Sequence, residues 1–326
     1  MRKVAWTVLR LALTIGLLWY FVQVYVDPRT FLAIVERISI PLLLAYLATV
    51  FASRWMQAVQ TRHALAEVGV AVSSIEVLRS QLIASYYTMF VPGDLVGGGV
   101  TWYLLKEARG GGAMIATILI YLRLAFLVTA VPFAVAGMLM ESRLHSMALL
   151  GVLAIVSLAA AAATAPLVFR GPAGAAVRLI RAFAGQIPEA ATRILAALRT
   201  LGDCITNCAS ASPRSTVSVF SFAVLLHVLG AAGLWLAAVA ADAAVPFHAF
   251  LWVWPLMIIV HMLPLSFGGL GIREITLVYV LERLYGTTAE SVLLISMIAL
   301  LATALLGLAG GVWNSVSAAN SGKSAE

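Results

Sequence analysis

Leu263-Pro264-Leu265-Ser266-Phe267-Gly268-Gly269-Leu270-Gly271-Ile272-Arg273-Glu274 is a stretch that no continuous transmembrane helix would contain. It interrupts an otherwise apolar run from Phe250 to Val280 with a proline, three glycines within four residues and an adjacent Arg/Glu pair. Proline removes a backbone donor and clashes with the preceding turn, clustered glycines make helix costly, and charges at bilayer depth need partners or water. The stretch therefore predicts two half-helices meeting at a broken tip. Non-helical backbone survives inside a membrane where protein buries it or a wet cavity receives it, so the tip is the first candidate for a working site.

A second interruption lies upstream. Leu82 to Val91 is too short to cross a bilayer, stops at Pro92-Gly93-Asp94 and resumes after Gly97-Gly98-Gly99 as Val100 to Leu105. Around these two broken elements run six apolar stretches of spanning length: Ala5–Val26, Ile40–Gln60, Ala113–Met140, Met147–Phe169, Val217–Ala241 and Ser291–Trp313. The expected fold is an all-α polytopic membrane protein with about six full transmembrane helices plus two re-entrant hairpins. It forms one domain over residues 1–316, with 170–214 as a cytoplasmic amphipathic linker between halves, lying on the membrane surface or forming a short soluble helical pair, and 317–326 as a disordered tail. The basic start and long apolar core of the N-terminus read as a retained first helix.

Composition supports this class. The 326 residues are 62% hydrophobic and 11% charged, with a mean hydropathy of +1.01, which excludes an ordinary soluble enzyme domain. The net charge of +7 resides in short loops and is not interleaved with aromatic residues, which argues against nucleic-acid binding. Cys204 and Cys208 are four apart with no accompanying histidines or further cysteines, so two reduced thiols are expected in place of a zinc site.

With the N-terminus inside, thirteen Lys/Arg residues fall in inside loops, four in outside loops and four within spans. This places both termini in the cytoplasm. The first broken element then enters from the inside, between Arg79 and Lys106, and the second from the outside, between Asp242 and Arg283. Their tips match, Pro92 with Gly97-Gly98 and Pro264 with Gly268-Gly269, a pattern that points to an inverted repeat with a site at its interface.

The candidate substrate-binding residues are Pro264, Ser266, Gly268, Gly269, Gly271, Arg273 and Glu274 at the second tip, and Pro92, Asp94, Gly97 and Gly98 at the first. Arg54 and Arg123 are the intramembrane cations placed to face them. An arginine can receive an anionic head group while the glycines let backbone amides approach it. The same charges can equally be ion pairs that fix helix packing. His227 and His261 read as packing histidines, and Trp252 and Trp254 as interfacial anchors. No nucleotide-binding, metalloprotease or nucleophile-elbow motif is present, so no cofactor, metal or catalytic set is expected and the chain is not read as an enzyme.

The two broken stretches, Arg54-Trp55 and Arg123 together resemble the lysylphosphatidylglycerol synthase transmembrane-region family, also called flippase-like. The most specific part is Pro264, Gly268, Gly269, Gly271 and Glu274. The resemblance implies movement of lipids between leaflets, and the family includes hopanoid-associated membrane proteins. Where many relatives carry an acid after the first Gly-Gly and an arginine three further on, this chain has Gly99 and Trp102, which favours a less polar lipid such as a hopanoid. The expectation is a transporter of the bacterial inner membrane acting on a phospholipid, glycolipid or hopanoid-type lipid. Its partner is the lipid itself, and a homodimer or a neighbouring lipid-biosynthesis enzyme is compatible with it. The alternative is a non-transporting subunit or enzyme of lipid modification.

Overall fold

The computed structural model describes residues 26–90, 94–141, 164–185, 192–209, 212–262 and 272–323, with isolated helical positions at Trp19, Gln23, Ile155, Leu158, Ala159, Ala161 and Ala162. Within these residues the structure is helical, with no strand. The helices are α1 Pro28–Glu36, α2 Ile40–Glu67, α3 Ser74–Phe90, α4 Asp94–Arg109, α5 Gly112–Met140 and α6 Arg170–Ala184. They continue as α7 Thr192–Ala209, α8 Pro213–Ala240, α9 Phe247–Met262, α10 Ile272–Tyr285 and α11 Ala289–Lys323.

The starts follow local chemistry. Asp27 caps α1 by accepting from the Arg29 and Thr30 amides, with Pro28 in the first turn, and Ser212 caps α8 in the same way ahead of Pro213. At α3, Ser73 and Glu76 form a reciprocal capping box: the Glu76 carboxylate takes the Ser73 amide while the Ser73 hydroxyl takes the Glu76 amide. Arg109, at the far end of α4, pairs with the other Glu76 oxygen and ties the two ends of the first hairpin together.

Four helices, α2, α5, α8 and the Ala289–Val316 part of α11, are long and apolar enough to cross a membrane. They coincide with four of the six expected spans; the stretches Ala5–Val26 and 147–163 lie largely outside the described residues. Two boundaries differ from expectation. α2 runs past Gln60 to Glu67 because its last turns are buried at Gln60, Thr61, Ala64 and Leu65, so packing sustains a helix that hydropathy would end. α11 runs past Trp313 to Lys323, so the tail expected to be disordered from 317 is helical to that point, where no proline or strong cap stops it.

The centre of the molecule is the pair α2 and α8, which lie side by side and antiparallel. Gln60 Nε2 near the end of α2 donates to the Val219 carbonyl near the start of α8 at 2.9 Å. At the other end, Tyr46 and Thr49 of α2 close on Gly233 of α8. Each long span that follows a hairpin packs on the first arm of the other hairpin: α11 on α3, and α5 on α9. Glycines permit both contacts. Gly310 of α11 lies against the Leu82 carbonyl of α3, and Gly137 of α5 against Trp252 of α9. One buried cluster gathers the start of α2, the end of α8, and α9, α10 and α11; a second gathers the end of α2 with α3 to α7. The linker is a pair of helices, α6 packed on α7, with α7 also against α5 and with Cys204 and Cys208 buried on its inner face as free thiols.

Candidate functional site

α10 begins at Ile272, so its second and third residues are Arg273 and Glu274. Both are buried, with 9% and 1% of their surface exposed. Neighbours in sequence do not normally face one another on a helix. Here the Arg273 side chain folds back so that Nε and Nη2 both donate to Glu274 Oε1, at 3.0 and 2.8 Å, and Nη2 also donates to the Ser296 carbonyl of α11 at 3.1 Å. The α10 N-terminus favours the carboxylate and disfavours the guanidinium, so Glu274 is at home in the first turn and Arg273 depends on its acceptors. Tyr46 of α2 lies within electrostatic reach of Arg273, and the Ser296 hydroxyl is buried without a partner among the described residues. The pair thus sits where α2, α10 and α11 converge. Removing one partner from such a buried pair leaves an uncompensated charge, at a cost of about 3–5 kcal/mol.

The remaining residues of the second tip, Pro264, Ser266, Gly268, Gly269 and Gly271, lie outside the described residues, as does Pro92 of the first. Asp94 opens α4, with its side chain outside the described part. Gly97 and Gly98, expected in a non-helical tip, are helical in α4, which begins at Asp94. The physical role of Gly97 is close approach: a Cβ there would lie 3.3 Å from Thr88 of α3, while one at Gly98 would meet open space.

Arg54 sits midway along α2, half-buried, with Nη1 donating to Gln57 at 3.4 Å, and Arg123 is half-buried in α5. Both make further interactions, as does Glu274. His227 is fully buried in α8, hydrogen-bonded through Nε2 to the Phe126 carbonyl at 2.8 Å and stacked on the Phe126 ring at 4.1 Å, a packing histidine as expected. His261 has its side chain outside the described residues. Trp252 and Trp254 are not interfacial anchors. Trp252 is buried against Gly137, Trp254 packs on Gly230, and both indole nitrogens are buried without a partner among the described residues.

Sequence reasoning missed Tyr46 and the Ser296 carbonyl, since a backbone acceptor and a core tyrosine carry no mark in an apolar run. It also missed two ties between distant segments. Tyr285 at the end of α10 donates to Glu141 at the end of α5 at 2.9 Å, and the Asp27 amide donates to Glu290 at the start of α11 at 2.8 Å. Unpaired acids just beyond apolar spans were the available signal for both.

No curated protein and no solved structure gives a significant match to the chain. The family model described as the lysylphosphatidylglycerol synthase TM region matches residues 7–311, nearly its whole length, and the chain belongs to that family.

Proposed function

We propose that the protein is a lipid transporter of the bacterial inner membrane that lines a path for a phospholipid, glycolipid or hopanoid-type lipid between leaflets. Family membership makes it a membrane protein of lipid modification or transport. The observation that carries the transport reading is the Arg273–Glu274 pair, buried in the first turn of α10, directly after the Pro- and Gly-rich stretch of the sequence.

A correspondence of helix lengths, spacings and contacts between the two halves supports the reading. α2 and α8 are each 28 residues long and start 173 residues apart (213 − 40). The first arms of the hairpins, α3 and α9, start at the same separation (247 − 74). The contacts repeat as well: α2 with α3 and α8 with α9, α3 with α11 and α9 with α5, α1 with α11 and α7 with α5. On this reading a two-fold axis in the membrane plane, between the antiparallel α2 and α8, relates the halves. Both termini then lie in the cytoplasm, in keeping with the distribution of Lys and Arg.

In this arrangement the tips shelter the head group while acyl chains or a polycycle remain in lipid. A polar group crossing hydrocarbon without partners costs about 4–8 kcal/mol against an alkane reference, which keeps unaided flipping slow. Arg273 offers a fixed cation, and the start of α10 offers amides and a favourable dipole end for an anionic group. The test is reconstitution into vesicles carrying fluorescent phosphatidylglycerol or phosphatidylethanolamine in both leaflets, with dithionite bleaching the outer one. Bleaching beyond the outer-leaflet fraction in protein-containing vesicles supports transport, and bleaching equal to protein-free vesicles for every lipid tried refutes it.

A further inference from the structure

α6 carries three different sectors around its axis. At 3.6 residues per turn, Ala173, Val177, Ile180 and Ala184 share one side, and Ala173, Val177 and Ile180 are packed into the second buried cluster, with Gly202 of α7 beneath Val177. Pro172, Leu179 and Phe183 fall on a neighbouring stripe that nothing described covers; Leu179 is 72% and Phe183 60% exposed, and Phe169 just ahead of the helix is equally bare. Arg170, Arg178 and Arg181 occupy the remaining sector, and α6 has no acidic residue to neutralise them.

The chain fixes where this helix must be. The apolar segment ending at Leu167 and Val168 is joined to α6 by Phe169 alone, so the bare stripe starts at the bilayer border. An apolar stripe next to a purely basic sector, on a helix whose third side is packed on α7, matches an acidic lipid leaflet: apolar side chains enter the acyl boundary while guanidinium groups meet phosphates. Arg178 is the cation on the open flank of the stripe; Arg170 and Arg181 face away from it and act through the surface field.

We infer that α6 is an anionic-lipid-binding element, with Leu179 and Phe183 immersed in the leaflet on its side of the membrane, Arg178 holding acidic head groups and Arg181 adding to the attraction through the surface field. The element joins the two halves through α7 and does not depend on whether lipid passes the hairpins.

The test uses the full-length protein with Phe183→Cys carrying a bimane fluorophore. Native Cys204 and Cys208 are buried, and Thr200→Cys on the exposed side of α7 serves as the water-facing control. The protein is placed in vesicles of phosphatidylcholine alone or mixed with phosphatidylglycerol. The expected result is a blue shift with phosphatidylglycerol, quenching by lipids brominated in the acyl chain and shielding from aqueous iodide. Arg178→Gln with Arg181→Gln reduces lipid contact about fivefold per arginine in the mixed vesicles, as does high salt, and leaves the phosphatidylcholine signal unchanged. Three outcomes overturn the inference. They are a probe open to iodide in mixed vesicles, a probe shielded from iodide yet untouched by brominated chains, which means protein covers the face, and lipid contact indifferent to both phosphatidylglycerol and the arginines.

Discussion

Gly310→Ala is the substitution whose effect the packing determines most sharply. A Cβ at Gly310 would stand 2.0 Å from the Leu82 carbonyl oxygen, 2.3 Å from the Leu82 carbonyl carbon and 2.8 Å from the Ile83 nitrogen. All three are backbone atoms of α3, so no side chain can swing aside. Carbon and oxygen touch at about 3.3 Å, so α3 has to retreat from α11 by roughly 1.3 Å. Overpacking of this kind costs about 1–3 kcal/mol, and the displaced helix carries Leu82, Ile83 and Ala84, buried residues that add to the loss. Alanine gains about 0.5–1 kcal/mol over glycine within a helix, which offsets only part. Gly98→Ala isolates that gain, because a Cβ there meets nothing within 4 Å. Denaturation in mixed micelles, followed by loss of helical circular dichroism, should find Gly310→Ala less stable than wild type and Gly98→Ala equal or more stable. A Gly310→Ala protein as stable as wild type would refute the close approach of α3 and α11.

The other predictions concern groups that the structure buries. Burial first, and neighbouring Cys204 second, push the Cys208 thiol up to about 11. A maleimide should therefore label it slowly at neutral pH in the native protein and rapidly after unfolding, with native labelling rising towards pH 11. Because the folded value lies above the ordinary 9.0, the stability linked to this thiol is complete below pH 9 and is lost as pH rises through about 11. His227→Phe keeps the stack on Phe126 but loses the hydrogen bond to its carbonyl, and should cost about 1 kcal/mol in the same denaturation assay. A loss above about 3 kcal/mol would show that the imidazole does more than pack and donate one hydrogen bond.

The four spans α2, α5, α8 and α11 were legible because twenty or more apolar residues in a row have few other solutions. Their ends were not, because Gln60 and Thr61 are polar by composition but buried by position, and hydropathy does not register a partner helix. Pro92 and Pro264 were legible as interruptions of apolar runs: α3 and α9 end before them and α4 and α10 begin after them, while the prolines themselves lie outside the described residues. The three glycines after Asp94 misled: a glycine in a membrane helix marks a break or a close neighbour with equal force, and Gly97 against Thr88 belongs to the second kind. The tryptophans misled for a related reason. Trp252 and Trp254 look like interface residues near a span end, yet Gly137 and Gly230 hollow out space for them in the core. At the candidate site, the Arg273–Glu274 pair was visible as a charge in the wrong place, while the residues around it, Tyr46 and Ser296, came together only through the crossing of α2, α10 and α11.

On the proposed function, this buried pair belongs to a lipid path. The most direct measurement is dithionite-detected lipid exchange in vesicles containing wild type, Arg273→Ala, Glu274→Gln or the double variant, each first shown to be monodisperse and helical. The account predicts exchange by wild type and loss of exchange in the folded Glu274→Gln and Arg273→Ala proteins, with the double variant no better than either. Equal exchange by all four proteins would contradict it, because a path through the pair cannot be indifferent to the loss of its charges.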